Sequence, residues 1–167
     1  FFILGFMNRF DIVIWGASSF TGKLVTEYFF KNFASNKIKW AIAGRNKSKL
    51  ENIRLEVADE KIPILVADSF DEKSLSLIVK ETRVICSTVG PYALYGSLLV
   101  ELCVKHSTNY CDITGEAHWI RTLIDKFHED AKSKKIKIVN SCGFDSIPSD
   151  MGVYFIQNEI KKLYKSY

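Results

Sequence analysis

The chain has 167 residues, 47% hydrophobic and 25% charged, which is ordinary globular composition for one domain, or for one domain and the start of another. A formal net charge of +4, scattered along the chain, argues against a nucleic-acid partner. Four cysteines with no C-x-x-C pair, and no H-E-x-x-H, argue against zinc and against a disulfide framework.

Residues 1–9 read as an N-terminal extension within which Met7 is a candidate true start; FFILGF is too short to cross a bilayer and lacks the marks of a signal peptide. From there strands and helices alternate. FDIVIWG (10–16) is a strand, and TGKLVTEYFFKNF (21–33) a helix with Leu24, Val25, Tyr28 and Phe29 on its apolar face. KWAIAG (39–44) is the second strand, and KSKLENIRLEV (47–57) a helix facing inward through Leu50, Ile53 and Val57. IPILVAD (62–68) is the third strand, followed by a helix over 71–81. RVICSTVG (83–90) is the fourth strand, and SLLVELCVKH (97–106) a helix apolar on most sides and hence buried. NYCDI (109–113) is the fifth strand, and residues 118–134 form an amphipathic helix whose end carries the basic run KSKKIK (132–137), a solvated helix end. IKIVNSC (136–142) is the sixth strand, and residues 148–163 a last helix. Cys86, Cys111 and Cys142 fall in strands and Cys103 in a helix, so all four read as buried free thiols of a reducing, cytoplasmic location.

Strands alternating with helices imply right-handed crossovers and a parallel sheet covered on both faces. The expected fold is α/β, a doubly wound Rossmann-type sheet of six strands in the order 3-2-1-4-5-6. Residues 10–147 would form an NAD(P)-binding domain, and residues 148–167 a further helix within which the sequence ends.

Ligands of such sheets sit beyond the carboxyl ends of the strands, where the order reverses. The loop after strand one, GASSFTG (16–22), has glycine for the strand exit at Gly16 and for helix packing at Gly22, with Ser19 where a middle glycine would admit a pyrophosphate. Gly16, Ser18, Ser19, Phe20, Thr21 and Gly22 are the candidate pyrophosphate residues, and Thr21 the candidate helix cap. A turn that binds nothing fits the loop about as well. Strand two ends in Arg45, with Lys47 and Lys49 close behind and no carboxylate, a pattern that suits the 2′-phosphate of NADP(H) better than NAD(H). Asp68 either meets the adenine or caps the next helix. Gly90, Pro91 and Tyr92 would border the nicotinamide; Tyr92 or Tyr95 could stack there or donate a proton, or simply pack on the sheet. Asp112 and Glu116 in DITGE are candidate polar groups at the same edge, Glu116 serving equally as a cap of its own helix. Asp145 in GFDSIPSD could reach a substrate, while Ser146, Pro148 and Asp150 fit a helix start. Tyr92 and Asp145 are thus the candidate catalytic groups, and no metal site is expected. His106, His118 and His128 read as helix-surface residues.

GASSFTG, AIAGRNKSKL, STVGPYALYG, YCDITGE and GFDSIPSDMG follow one another as in the saccharopine dehydrogenase-like oxidoreductases, and over residues 10–157 the chain resembles that family. Ser19 departs from the usual glycine of its loop. The resemblance implies an NADP(H)-dependent hydride transfer to a carbonyl, imine or enoyl group of a small-molecule substrate. It implies that the helix of residues 148–167 leads into a second domain, absent from this chain, that carries substrate and homodimer contacts, and for some members an association with lipid droplets or a membrane surface. The rival expectation is a non-catalytic NADP(H) sensor or lipid-droplet scaffold.

Overall fold

A computed structural model describes residues 9–33, 37–57 and 61–165, so most of the expected N-terminal extension, Met7 included, lies outside the described residues. The elements run β1 (Phe10–Trp15), α1 (Phe20–Phe33), β2 (Trp40–Gly44), α2 (Lys47–Glu56), β3 (Ile64–Val66), α3 (Glu72–Lys80), β4 (Thr82–Ser87), α4 (Tyr92–Tyr95), α5 (Ser97–His106), β5 (Asn109–Asp112), α6 (Ala117–Ser133), β6 (Ile138–Val139) and α7 (Ile147–Tyr164). The six strands form one sheet in the order β3-β2-β1-β4-β5-β6, and every pairing is parallel. The sequence-based topology is therefore the observed one.

The two-residue period of a strand divides the core in two. Val13, Trp15, Ala41, Ala43, Ile85 and Tyr110 point to the face covered by α3, α5 and α6. Ile14, Trp40 and Ile42 point to the face covered by α1 and α2. Leu50 of α2 and Leu75 of α3 are wholly buried, each contributing about 1.5–3 kcal/mol by removal from water.

Four expectations are corrected. In α1 the buried residues are Gly22 and Thr26, whereas Leu24 and Tyr28 are 51% and 61% exposed. The helix begins against the Gly16–Ala17 backbone, where Gly22 has no room for a Cβ; Val25 and Phe29 pack partly buried against the core, and Thr26 turns its hydroxyl back to Gly22 O at 2.8 Å. The sixth strand is two residues long, and Cys142, beyond it, is exposed; Cys86 and Cys111 are half-buried and only Cys103 is fully buried. His106 is not simply a surface residue, because its Nε2 atom is buried. The turn after β4 contains a short helix, α4, that periodicity cannot reveal in four residues. In α7 no residue is buried. No helix among the described residues is long and apolar enough to cross a membrane.

Tyr92 opens α4 and is 6% exposed. Its hydroxyl donates to Ser87 O at 3.1 Å, and its ring lies 5.6 Å from that of Trp119. Burial pushes its phenol up to about 12. An unfolded tyrosine ionises near 10, so between those values the native state holds the extra proton and stability falls as pH rises. Tyr92→Phe should cost about 0.5–1.5 kcal/mol at neutral pH through the lost hydrogen bond. The gap from wild type should narrow as urea titrations move from pH 9 to pH 11.5, Tyr110 titrating alike in both proteins. A constant gap would show that the phenol is not held protonated.

Candidate dinucleotide-binding cleft

The chain leaves β1 through Gly16, whose φ of +88° is in the left-handed region. A Cβ there would also lie 2.9 Å from the Thr88 hydroxyl, so only glycine fits. Ser19 N–H donates to Gly16 O at 2.9 Å and closes the turn. Gly22 sits against the loop it follows, and a Cβ on it would approach the Ala17 Cα to 2.8 Å. The two glycines thus have the roles the sequence suggests, tight exit and close helix packing.

Ser19, not Thr21, is the side-chain cap of α1: its hydroxyl accepts the Gly22 N–H at 3.0 Å. The same oxygen lies 3.3 Å from the Thr88 hydroxyl, which in turn is 3.1 Å from Trp15 O and from Gly16 O. Thr88 therefore ties the ends of β1 and β4 together. Among the described residues the amides of Phe20 and Thr21 have no acceptor outside their own helix, which leaves free donors at the positive end of α1.

A cleft of about 480 Å³ opens over this loop. Gly16, Ser18 and Ser19 form its floor, Arg45, Asn46 and Lys49 one wall, Asp68 and Phe70 another, and Gly90, Pro91 and Tyr95 the far end. Phe20 is 84% exposed, and neither it, Thr21 nor Gly22 is among the residues that line the cleft. Asn46 Oδ1 accepts the Lys49 N–H at 3.0 Å and caps α2. Lys47 is 3.7 Å from Glu51 and does not line the cleft. Arg45 and Lys49 have no acidic partner among the described residues. Asp68 does not cap α3; it accepts the Phe70 N–H at 2.9 Å, while Asp71 caps the helix through Lys73 N and Ser74 N. Phe70 and Tyr95 meet with ring centroids 5.6 Å apart.

Neither candidate catalytic side chain faces this space. Tyr92 is turned beneath the turn it belongs to, which leaves Tyr95 as the tyrosine in the cleft wall. Asp145 is exposed past the end of β6 and is not part of the cleft. Asp112 is 1% exposed; its carboxylate accepts from Thr114 N, Ser141 N and Asn140 Nδ2 at 3.1, 3.1 and 2.7 Å. Ser141 closes that knot by donating its hydroxyl to Thr114 O at 2.7 Å. Asp112 is thus a clasp between β5 and β6. Thr88 and Phe70 carried no signal in the sequence, because each acts through a neighbour that only the fold supplies; Asn46 had a local one, an Asn placed just before a helix whose Lys49 N–H it caps.

The family described as saccharopine dehydrogenase NADP binding domain matches residues 12–139. The chain is 36% identical over 157 residues to a lipid droplet localized protein of Caenorhabditis elegans, covering 90% of this chain and 37% of the relative. It is 39% identical over 149 residues to a trans-acting enoyl reductase of Mycobacterium tuberculosis (88% and 35%). It is 35% identical over 164 residues to a saccharopine dehydrogenase-like oxidoreductase of Mus musculus (90% and 38%). The chain thus spans little more than a third of the length of these relatives. Among solved structures it resembles saccharopine dehydrogenase of Saccharomyces cerevisiae, with a TM-score of 0.75 at 14% identity, covering 92% of this chain and 32% of that one. The leucoanthocyanidin reductase–NADPH complex of Vitis vinifera follows at a TM-score of 0.55 and 16% identity, covering 77% and 48%. With its parallel sheet, its two-glycine loop and a matching family over most of its length, the chain belongs to the saccharopine dehydrogenase NADP-binding domains, and its cofactor is NADP(H).

Proposed function

We propose that this chain is the cofactor-binding portion of an oxidoreductase that moves hydride between NADPH and a carbonyl, imine or enoyl group. The observation that carries the reading is the pair of uncommitted cations, Arg45 and Lys49, on the cleft wall beside the glycine loop, with no carboxylate following β2. The pyrophosphate would rest on Gly16, Ser18 and Ser19 and on the free amides of Phe20 and Thr21. Arg45 and Lys49 would hold the 2′-phosphate, Asp68 and Phe70 would flank the adenine, and Gly90, Pro91 and Tyr95 would border the nicotinamide. The cofactor supplies the hydride; these residues supply orientation and charge.

The substrate-facing acid or base is assigned to parts of the protein beyond the nucleotide domain of residues 10–147, into which α7 leads. The exposed apolar side chains of Val153, Tyr154, Phe155 and Ile156 suit such a packing role. A non-catalytic sensor or lipid-droplet scaffold is the second reading. It is favoured by the cleft's lack of any titratable side chain at the nicotinamide end other than Tyr95, and by the printed name of the worm relative. A cytoplasmic or droplet-surface location accords with either reading. Full-length protein assayed with NADPH over carbonyl, imine and enoyl compounds separates them, since binding without turnover supports the sensor. The 167 residues alone should bind NADPH without steady turnover; sustained NADPH oxidation by them would refute the division of labour.

Arg45→Ala should weaken NADPH by about 1.5–3 kcal/mol, roughly ten- to a hundredfold, and NADH far less. Titrations of both cofactors at fixed ionic strength check this, and equal losses would show that Arg45 does not read the 2′-phosphate. Ser19 makes a separate prediction because its hydroxyl is engaged as a cap. Ser19→Gly should cost only a few tenths of a kcal/mol in stability and Ser19→Ala about 1 kcal/mol. NADPH affinity of the glycine variant should hold or tighten as the backbone opens to the phosphate. A loss of tenfold or more would mean that the hydroxyl itself donates to phosphate.

A further inference from the structure

The DITGE segment crosses from the end of β5 to the turn after β4 by a relay of alternate residues. Asp112 accepts the Thr114 N–H at 3.1 Å, and Thr114 Oγ1 accepts the Glu116 N–H at 3.1 Å. Glu116 Oε1 then accepts the Tyr92 N–H at 2.6 Å and Oε2 the Ala93 N–H at 2.9 Å. Both carboxylate oxygens are thereby committed to the first turn of α4, whose own N-cap position is Pro91, a residue with no side-chain cap to offer. An acid at the start of a helix ordinarily serves that helix. Glu116 stands at the N-cap of α6 and makes no such bond there, so its two strongest acceptors serve another element.

The turn so held is the one whose Gly90 and Pro91 border the cleft. Below it, the Tyr92 hydroxyl is bonded to Ser87 O and its ring rests on Trp119. Between those anchors the turn cannot swing without breaking two charge-assisted bonds, which are roughly twice as strong as neutral ones.

We infer that Glu116 is a positioning residue of the cofactor site: its carboxylate fixes the Gly90–Pro91 turn where it receives the nicotinamide half of NADP(H). The inference rests on the NADP(H) reading of the cleft. It separates the two halves of the ligand, because the Arg45 wall and the glycine loop are not linked to Glu116 by any of these bonds.

The experiment titrates NADPH and adenosine 2′,5′-bisphosphate, which lacks the nicotinamide half, into the 167-residue chain. Wild type, Glu116→Gln, Glu116→Ala and Arg45→Ala are compared below the unfolding temperature measured for each. Glu116→Ala should weaken NADPH roughly tenfold or more, the scale of one displaced polar contact, and leave the bisphosphate unchanged. Glu116→Gln, similar in shape and keeping one acceptor oxygen, should fall between wild type and alanine. Arg45→Ala should weaken both ligands. Unchanged NADPH affinity in both Glu116 variants, or equal losses of both ligands, overturns the positioning role. A wild type that binds neither ligand, or an Arg45→Ala variant that binds the bisphosphate as well as wild type does, overturns the NADP(H) reading instead.

Discussion

The cleft depends on how closely α1 can lie against the end of β1. That approach is set at two glycines. Gly16 takes a backbone angle that other residues avoid, and Gly22 has no room for a methyl group beside Ala17. Thr26 extends the same line one turn on, buried with its hydroxyl returned to the backbone. With α1 seated this way, the compact loop of Gly16 to Ser19 lies under the cleft at the helix start, with Gly16, Ser18 and Ser19 lining it. A larger side chain at Gly22 would move the helix.

The same constraint explains why the apolar face of α1 differs from the one periodicity selects. Of the four residues periodicity selects, Leu24 and Tyr28 are exposed and Val25 and Phe29 are only partly buried against the core, while the small residues at 22 and 26 are buried. Hydrophobic pattern measures what could be buried at ordinary helix–sheet distance. Where α1 begins, at Gly22, the approach to the Gly16–Ala17 backbone leaves no room for a side chain, and there size outranks hydropathy.

What was legible in the sequence was local. The strand order followed from six apolar runs separated by helices, the tight-turn and packing roles of Gly16 and Gly22 from the loop itself, and the place of Arg45 on the cleft wall from its position at the end of β2. The roles of Tyr92, Asp112 and Glu116 were not legible, since each depends on a partner brought in from elsewhere. Tyr92 sits next to Pro91 at the cleft, but its ring is drawn under by Trp119, a residue of α6. Glu116 could have capped its own helix and instead reaches back 24 residues to Tyr92. Asp112 could have faced a substrate, and is sealed among the N–H groups of two loops. In each case the sequence showed a polar or aromatic group in the right neighbourhood, and only the fold could show which way it was spent.

The two ends of the cleft are consequently built on different physics. At the β2 end, exposed cations and unpaired amides offer charge to an anionic ligand, an attraction that added salt screens over about 10 Å at 0.1 M. At the β4–β5 end the carboxylates are already engaged: the oxygens of Glu116 and Asp112 accept from backbone and amide N–H groups, and what is presented to the cleft is a glycine, a proline and a tyrosine. Such a surface recognises by shape and by where its backbone has been fixed, not by charge. A dinucleotide phosphate with a neutral or singly charged nicotinamide ring has that same asymmetry. Its anionic groups lie toward one end, and the reactive ring at the other gains most from a wall that does not move.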